Sequence, residues 1–238
     1  MTIYNDIISR KGRKLALLID PDKTQGNDLT SVCKMAEKVF IDLILVGGSI
    51  LWHSTEQTVT EINKACKIPV ILFPGNSFQV CGNADAILFM SLISGRNSDF
   101  LIGQQVISAP IVKQTMLEVI PTGYMLFDTG KQTSVEYMSN TKPLPSNKPD
   151  IAVATALAGE MLGLKMLYLE GGSGALSTLG TKMIEAIRKN VSIPLMVGGG
   201  IRTVDDMKNA FSAGADIVVV GTIIEEQPEM IEKFGKNK

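Results

Sequence analysis

Short apolar runs recur along the chain with polar, helix-patterned stretches between them. They are Leu15–Ile19, Leu43–Val46, Val70–Phe73, Ala86–Phe89, Val119–Phe127 (interrupted), Met166–Leu169, Leu195–Val197 and Ile217–Val220. Most are apolar on consecutive positions and rich in Leu, Ile and Val, the signature of strands covered on both faces. The stretches between them carry helix signals. Thr203 is a good N-cap with Asp206 three residues on, Met207, Ala210 and Phe211 mark one apolar face, and Gly214 closes the helix. Segments 28–38 and 181–189 have the same pattern. Eight alternations of strand and helix mean a (β/α)₈ barrel or a doubly wound sheet. A glycine site after the last two runs favours the barrel, whose phosphate site is often built from the loops after strands 7 and 8.

Two intervals break the pattern. Between the third and fourth runs lies only segment 74–85, with Pro74, Gly75 and Gly82, so the third helix is expected to be short or missing. Segment 128–150 is long and polar, with Pro143, Pro145 and Pro149, and reads as an excursion at the functional face, a candidate flap. No repeat or low-complexity tract is evident, and 238 residues suit a single barrel domain over 1–238.

The loops at the strand ends carry the candidate chemistry. Three glycine clusters each follow an apolar run: Glu170-Gly171-Gly172-Ser173-Gly174, Gly198-Gly199-Gly200 and Gly221-Thr222. Without a Cβ, their backbone N–H groups can approach an anion closely, and the last two clusters precede helices. A phosphate-bearing small molecule is the expected ligand. Asp20, in Leu18-Ile19-Asp20-Pro21-Asp22-Lys23, ends the first strand, where a carboxylate can hold Mg²⁺ or simply cap a turn before Pro21. Ser49, in Val46-Gly47-Gly48-Ser49, can offer an oxygen at the same rim. Glu170 is placed for a general base, although an acid there can also serve a structural salt bridge. Tyr168 shares its face of the strand, as core or as a hydroxyl ligand, and Arg202 is either a site residue or a solvated helix start. Leu88, Phe89, Met90, Leu92 and Ile93 could line a groove, but their pattern alone reads as core.

Composition narrows the choices. The net charge of −1 shows no basic excess for nucleic acid, so an anion must be bound by local geometry. Cys33, Cys66 and Cys81 lack metal-ligand spacing and two fall in expected helices, which points to a reducing, cytoplasmic setting. His53, the only histidine, excludes a multi-histidine zinc site and reads as an ordinary helix-start residue. The N-terminal stretch is not a signal peptide, and no run of 18 apolar residues exists to span a membrane.

Taken together, these segments resemble the geranylgeranylglyceryl phosphate synthases and their bacterial relatives. The most specific pair is Asp20-Pro21-Asp22-Lys23 with Leu169-Glu170-Gly171-Gly172-Ser173-Gly174. Val46–Ser49, Leu72–Asn76, Ser134–Ser139, Pro149–Ala154, Gly198–Arg202 and Gly221-Thr222 extend the match across nearly the whole chain. The resemblance implies a modified barrel in which non-helical chain replaces the third helix. It implies Mg²⁺ at Asp20 and Ser49, and sn-glycerol-1-phosphate on Tyr168, Leu169, Glu170, Gly171, Gly172, Ser173, Gly174, Gly199, Gly200, Gly221 and Thr222. Glu170 would be the base that accepts the proton of the C3 hydroxyl as it attacks a polyprenyl diphosphate, geranylgeranyl diphosphate being the expected donor. A homo-oligomer follows from the same resemblance, and so does room for transient contact with a membrane surface. Two rivals share the glycine loops: a barrel isomerase or lyase acting on a phosphorylated sugar, which would turn over without metal, and a flavin-binding barrel, which would be coloured. A non-catalytic phosphate-binding module leaves Asp20 and Glu170 without a purpose.

Overall fold

The computed structural model describes residues 2–9, 12–172 and 178–238. Eight parallel strands close into a barrel in sequence order. They are β1 (Lys14–Ile19), β2 (Leu43–Val46), β3 (Val70–Leu72), β4 (Ala86–Leu92), β5 (Glu118–Leu126), β6 (Met166–Glu170), β7 (Leu195–Gly198) and β8 (Ile217–Val220). All eight runs seen in the sequence are strands. β8 returns to β1 with Lys14 beside Ile217 and Leu17 beside Val220, which completes the ring.

Among the described residues, ten helices accompany the strands. They are α1 (Ile3–Ser9), α2 (Gly26–Lys38), α3 (Thr55–Ala65), α4 (Gln104–Gln114), α5 (Ser134–Ser139), α6 (Pro149–Met161), α7 (Thr181–Arg188), α8 (Val204–Ser212), α9 (Thr222–Glu226) and α10 (Met230–Gly235). Thr203 and Asp206 form the reciprocal capping box expected at the start of α8. Between β3 and β4 the chain makes one turn of 3₁₀ helix, Ser77–Gln79, and no α-helix. A single π-helical turn, Asp99–Gly103, leads into α4.

Alternation along each strand sorts the apolar residues into two cores. Ala16, Leu45, Ile71, Leu88, Tyr168, Met196 and Val219 fill the barrel interior. Leu15, Leu17, Val46, Leu72, Leu169, Val197 and Val218 face the helices. This is why both parities of each strand read as apolar. Helix α1 packs Ile7 against the interior core, and the N–H groups of Ile3 and Tyr4 donate to the Glu118 carboxylate at the start of β5. One end of the barrel is thus closed by α1, leaving the C-terminal ends of the strands open for a site.

Segment 128–150 is more ordered than its prolines suggest. The Thr133 hydroxyl caps α5 by accepting from the Glu136 N–H (3.2 Å). Leu144 returns beside β5, donating to the Leu126 carbonyl (2.8 Å) and accepting from Asp128 N–H (2.9 Å). The Thr129 hydroxyl donates to the Gly171 carbonyl, which ties the excursion to the end of β6.

Candidate active site

The C-terminal mouth of the barrel holds a cavity of about 920 Å³. It gathers Asp20, Ser49, Tyr168, Glu170, Gly199, Gly200, Gly221 and Thr222, together with Arg202. The side chain of Leu169 points the other way, into the core beneath the helices, because it has the opposite parity to Tyr168 and Glu170. Gly171 is buried behind the cavity wall with its N–H on the Gly198 carbonyl (2.9 Å), and Gly172 also stands outside the lining. Ser173 and Gly174 lie outside the described residues.

Glu170 is the chemical centre of the cavity. It continues the inward parity of Met166 and Tyr168, and only 5% of it is exposed. Burial raises its carboxyl from 4.5 to about 7, against the pull of hydrogen bonds from the Gly172 N–H and the hydroxyls of Tyr168 and Tyr124. Burial, and then the nearby Glu170 charge, push both phenols well above their usual range, so they remain donors to the carboxylate. Phe73, Tyr168 and Tyr124 stack at centroid spacings of 5.0 and 5.4 Å and form one aromatic wall. A carboxyl poised near neutrality beside two phenol donors suits a general base. Tyr124 escaped the sequence reading because it lies inside the long, interrupted fifth run. Only its register opposite Tyr168 reveals it.

The glycines after β7 make room for this centre. A side chain on Gly198 would meet the Tyr168 hydroxyl at 2.2 Å. Gly199 has φ 78°, and a Cβ there would fall 2.3 Å from Glu170 Oε1. No other residue type fits both the conformation and the space.

Across the mouth, Asp20 Oδ1 accepts from the Asp22 N–H (2.9 Å), so the turn-capping role is real. Its Oδ2 remains turned to the cavity, 3.7 Å from Lys23 Nζ, which also bonds Glu225 Oε2 at 3.0 Å. Burial pulls the Lys23 ammonium down, but Glu225 and Asp20 outweigh it and hold the amine above its ordinary value. Burial raises the Glu225 carboxyl despite Lys23. Lys23 belongs to the Asp20–Lys23 motif, but the motif assigns it no role, and Glu225, in a short helix, carries no local signal. Only barrel closure brings the two together.

The apolar side of the cavity runs along β4. Leu88, Phe89, Met90 and Leu92 line it with Phe100, so these four contribute to a groove as well as to the core. Ile93 instead packs against the positions of Gly123 and Gly159. Gln132, Val135, Tyr137 and Met138 of the 128–150 excursion form another wall. Outside the mouth, Trp52 is 91% exposed, and the N–H groups of Trp52 and His53 donate to the Asp22 carboxylate. His53 precedes the N-cap Ser54, and its Nδ1 lies 2.8 Å from Asp22, so it pins this loop instead of beginning the helix. Cys33 lies in α2, whereas Cys66 caps the end of α3 and Cys81 follows the 3₁₀ turn. All three are free and buried.

A family model described as the PcrB family matches residues 5–238. A geranylgeranylglyceryl phosphate synthase of Spirosoma linguale is 47% identical over 235 residues, covering 98% of this chain and 94% of its own length. The protein of that name from Chitinophaga pinensis is 46% identical over 236 residues, with 98% and 94% covered. Among solved structures, (S)-3-O-geranylgeranylglyceryl phosphate synthase from Thermoplasma acidophilum, in complex with its substrate sn-glycerol-1-phosphate, matches with a TM-score of 0.94. It is 32% identical, and the match covers 100% of this chain and 98% of that one.

Proposed function

The chain belongs to the PcrB family, and on that premise we propose that it joins a polyprenyl diphosphate to the C3 hydroxyl of sn-glycerol-1-phosphate, an ether-lipid prenyl transfer. Geranylgeranyl diphosphate is the donor that the relatives' names imply. The observation that carries the proposal is the position of Glu170. It stands between glycine loops suited to a phosphate and an apolar groove along β4 suited to a prenyl chain. The C3 oxygen forms a bond to the first prenyl carbon as that carbon's bond to diphosphate breaks, and the hydroxyl proton passes to Glu170. Tyr124 and Tyr168 hold the carboxylate oriented. Gly199, Gly200, Gly221 and Thr222 hold the phosphate, so that attack takes place within one bound pair.

Asp20 and Ser49 would hold Mg²⁺. Among the described residues there is no cluster of three or more His, Cys, Asp or Glu for a metal. One carboxylate oxygen facing the cavity and one hydroxyl nevertheless fit a hard cation that keeps waters and takes phosphate oxygens from its substrate. When bound there, the ion would neutralise the departing diphosphate.

Self-association is supported by α4 and the turn before it, where Ile102, Val106, Ile107 and Ile111 are exposed while only Ser108 and Val112 of the helix are buried. No helix among the described residues is long and apolar enough to cross a membrane. A cytoplasmic enzyme that touches a membrane surface transiently fits a lipid product, and exposed Trp52 and Phe78 support that contact. The test is to offer purified protein sn-glycerol-1-phosphate with prenyl diphosphates of several lengths and to identify the products. A prenylglyceryl phosphate and free diphosphate are expected. Turnover of a sugar phosphate without metal, or no ether product at any chain length, would overturn the proposal.

A further inference from the structure

The turn that replaces the third helix brings one side chain to a place a helix would not reach. Gln79 ends that turn and is 3% exposed. Its Oε1 accepts from the N–H groups of Gly48 (3.3 Å) and Gly75 (3.1 Å), and its Nε2 donates to the Gly48 carbonyl (2.6 Å). One amide therefore satisfies both main-chain groups of Gly48, as a neighbouring strand would, and ties the loop after β2 to the loop after β3.

The surroundings give this clamp a direction. Gly48 precedes Ser49, and a Cβ on Gly48 would sit 3.4 Å from Asp20 Oδ2. Gly75 passes so close that a side chain there would meet the Gly48 carbonyl at 2.3 Å and the Ser49 backbone at 2.9 Å. The loops bearing Asp20, Ser49 and Gly75 are therefore in contact. Gln79 itself is absent from the cavity lining, so its effect on the site passes through the Gly48 peptide.

We propose that Gln79 is a positioning residue for the diphosphate half of the reaction, fixing the Gly48 peptide so that Ser49 and Asp20 stand at the spacing a Mg²⁺–diphosphate needs. This rests on the prenyl-transfer reading above. Glutamine is the residue type required. A leucine of similar length offers neither donor nor acceptor, and an ionised glutamate accepts but cannot donate to the Gly48 carbonyl.

The experiment compares wild type, Gln79→Leu and Gln79→Glu. Calorimetry follows Mg²⁺ with inorganic diphosphate, and separately sn-glycerol-1-phosphate. Steady-state kinetics gives KM for each substrate, and thermal melting reports the fold. Gln79→Leu should weaken Mg²⁺–diphosphate binding and raise the prenyl diphosphate KM by about tenfold, the effect of roughly one to two hydrogen bonds. The KM for glycerol phosphate should stay within about twofold, a split that loss of general stability would not produce. Gln79→Glu should fall between leucine and wild type, and it decides the matter by the same split if the leucine variant does not fold. Equal losses for both substrates, or no change in either with the fold intact, would overturn the assignment of Gln79 alone. Failure of the wild-type protein to bind Mg²⁺–diphosphate would overturn the prenyl-transfer reading and this inference with it.

Discussion

Changing Glu170 to glutamine removes an ionisable group from a place where charge is costly, so activity and stability should move in opposite directions. The carboxyl rises from 4.5 to about 7 on folding because it is buried. Between those values the folded protein keeps a proton that the unfolded chain has released. The stabilisation is complete below 4.5 and is lost as pH climbs through 7. At about 1.36 kcal/mol per pH unit the loss reaches about 3 kcal/mol by pH 8. Glutamine has nearly the same shape and is neutral at every pH; its one oxygen can still accept from the Gly172 N–H, and its NH₂ can donate to a phenol oxygen turned to receive it. The variant should therefore melt near wild type at pH 5 and higher at pH 8, by about 6–12 °C for a chain of this size. Turnover should drop by about 10²–10⁴-fold, as when a general base is removed. Calorimetric melts at the two pH values and steady-state kinetics check both halves. A melting difference that does not change with pH, or turnover within twofold of wild type, would refute the reasoning.

Tyr124→Phe removes a donor that favours the ionised form of Glu170, so the rising limb of the wild-type pH–rate profile, expected near pH 7, should move to higher pH. An unmoved limb would separate Tyr124 from the base. Asp20→Asn should leave the melting curve in place and abolish most turnover, with partial recovery in excess Mg²⁺. Full wild-type activity in the presence of a chelator would remove Asp20-bound metal from the reaction. Gly200 has φ 74°, so any side chain strains it. Gly200→Ala measures that strain, and Gly200→Asp adds charge. The aspartate should weaken glycerol phosphate binding beyond the alanine while leaving Mg²⁺–diphosphate binding intact, and calorimetry with each ligand would show whether it does.

The strand frame could be read from sequence because both faces of each barrel strand are covered, leaving consecutive apolar runs with little competing signal. The missing third helix could be read from Pro74, Gly75 and the shortness of the interval. Asp20, Ser49 and Glu170 were visible because each stands where a strand ends, and a barrel gathers those ends on one face. What stayed hidden depended on contacts between distant segments. Tyr124 meets Glu170 only through the β5–β6 register, Glu225 meets Lys23 only through closure, and Gln79 meets Gly48 only because a helix is missing. The β4 residues looked like core because the same alternation serves a core and a groove wall. Parity, applied strictly, turns the Leu169 side chain away from the cavity and into the core beneath the helices.

The loop pinned by Asp22 has an optical consequence. Trp52 is the chain's sole tryptophan, and it stands in water beside the mouth. Its emission should be red-shifted and open to dissolved quenchers, while the four tyrosines absorb at shorter wavelength. Excitation beyond the red edge of tyrosine absorption, where indole still absorbs, would isolate that one indole. A ligand that draws Asp22 or His53 toward the cavity, a vesicle against the rim, or a second copy covering the loop would each change colour or quenching without any attached label. Events at the α1 end of the barrel would leave the signal dark.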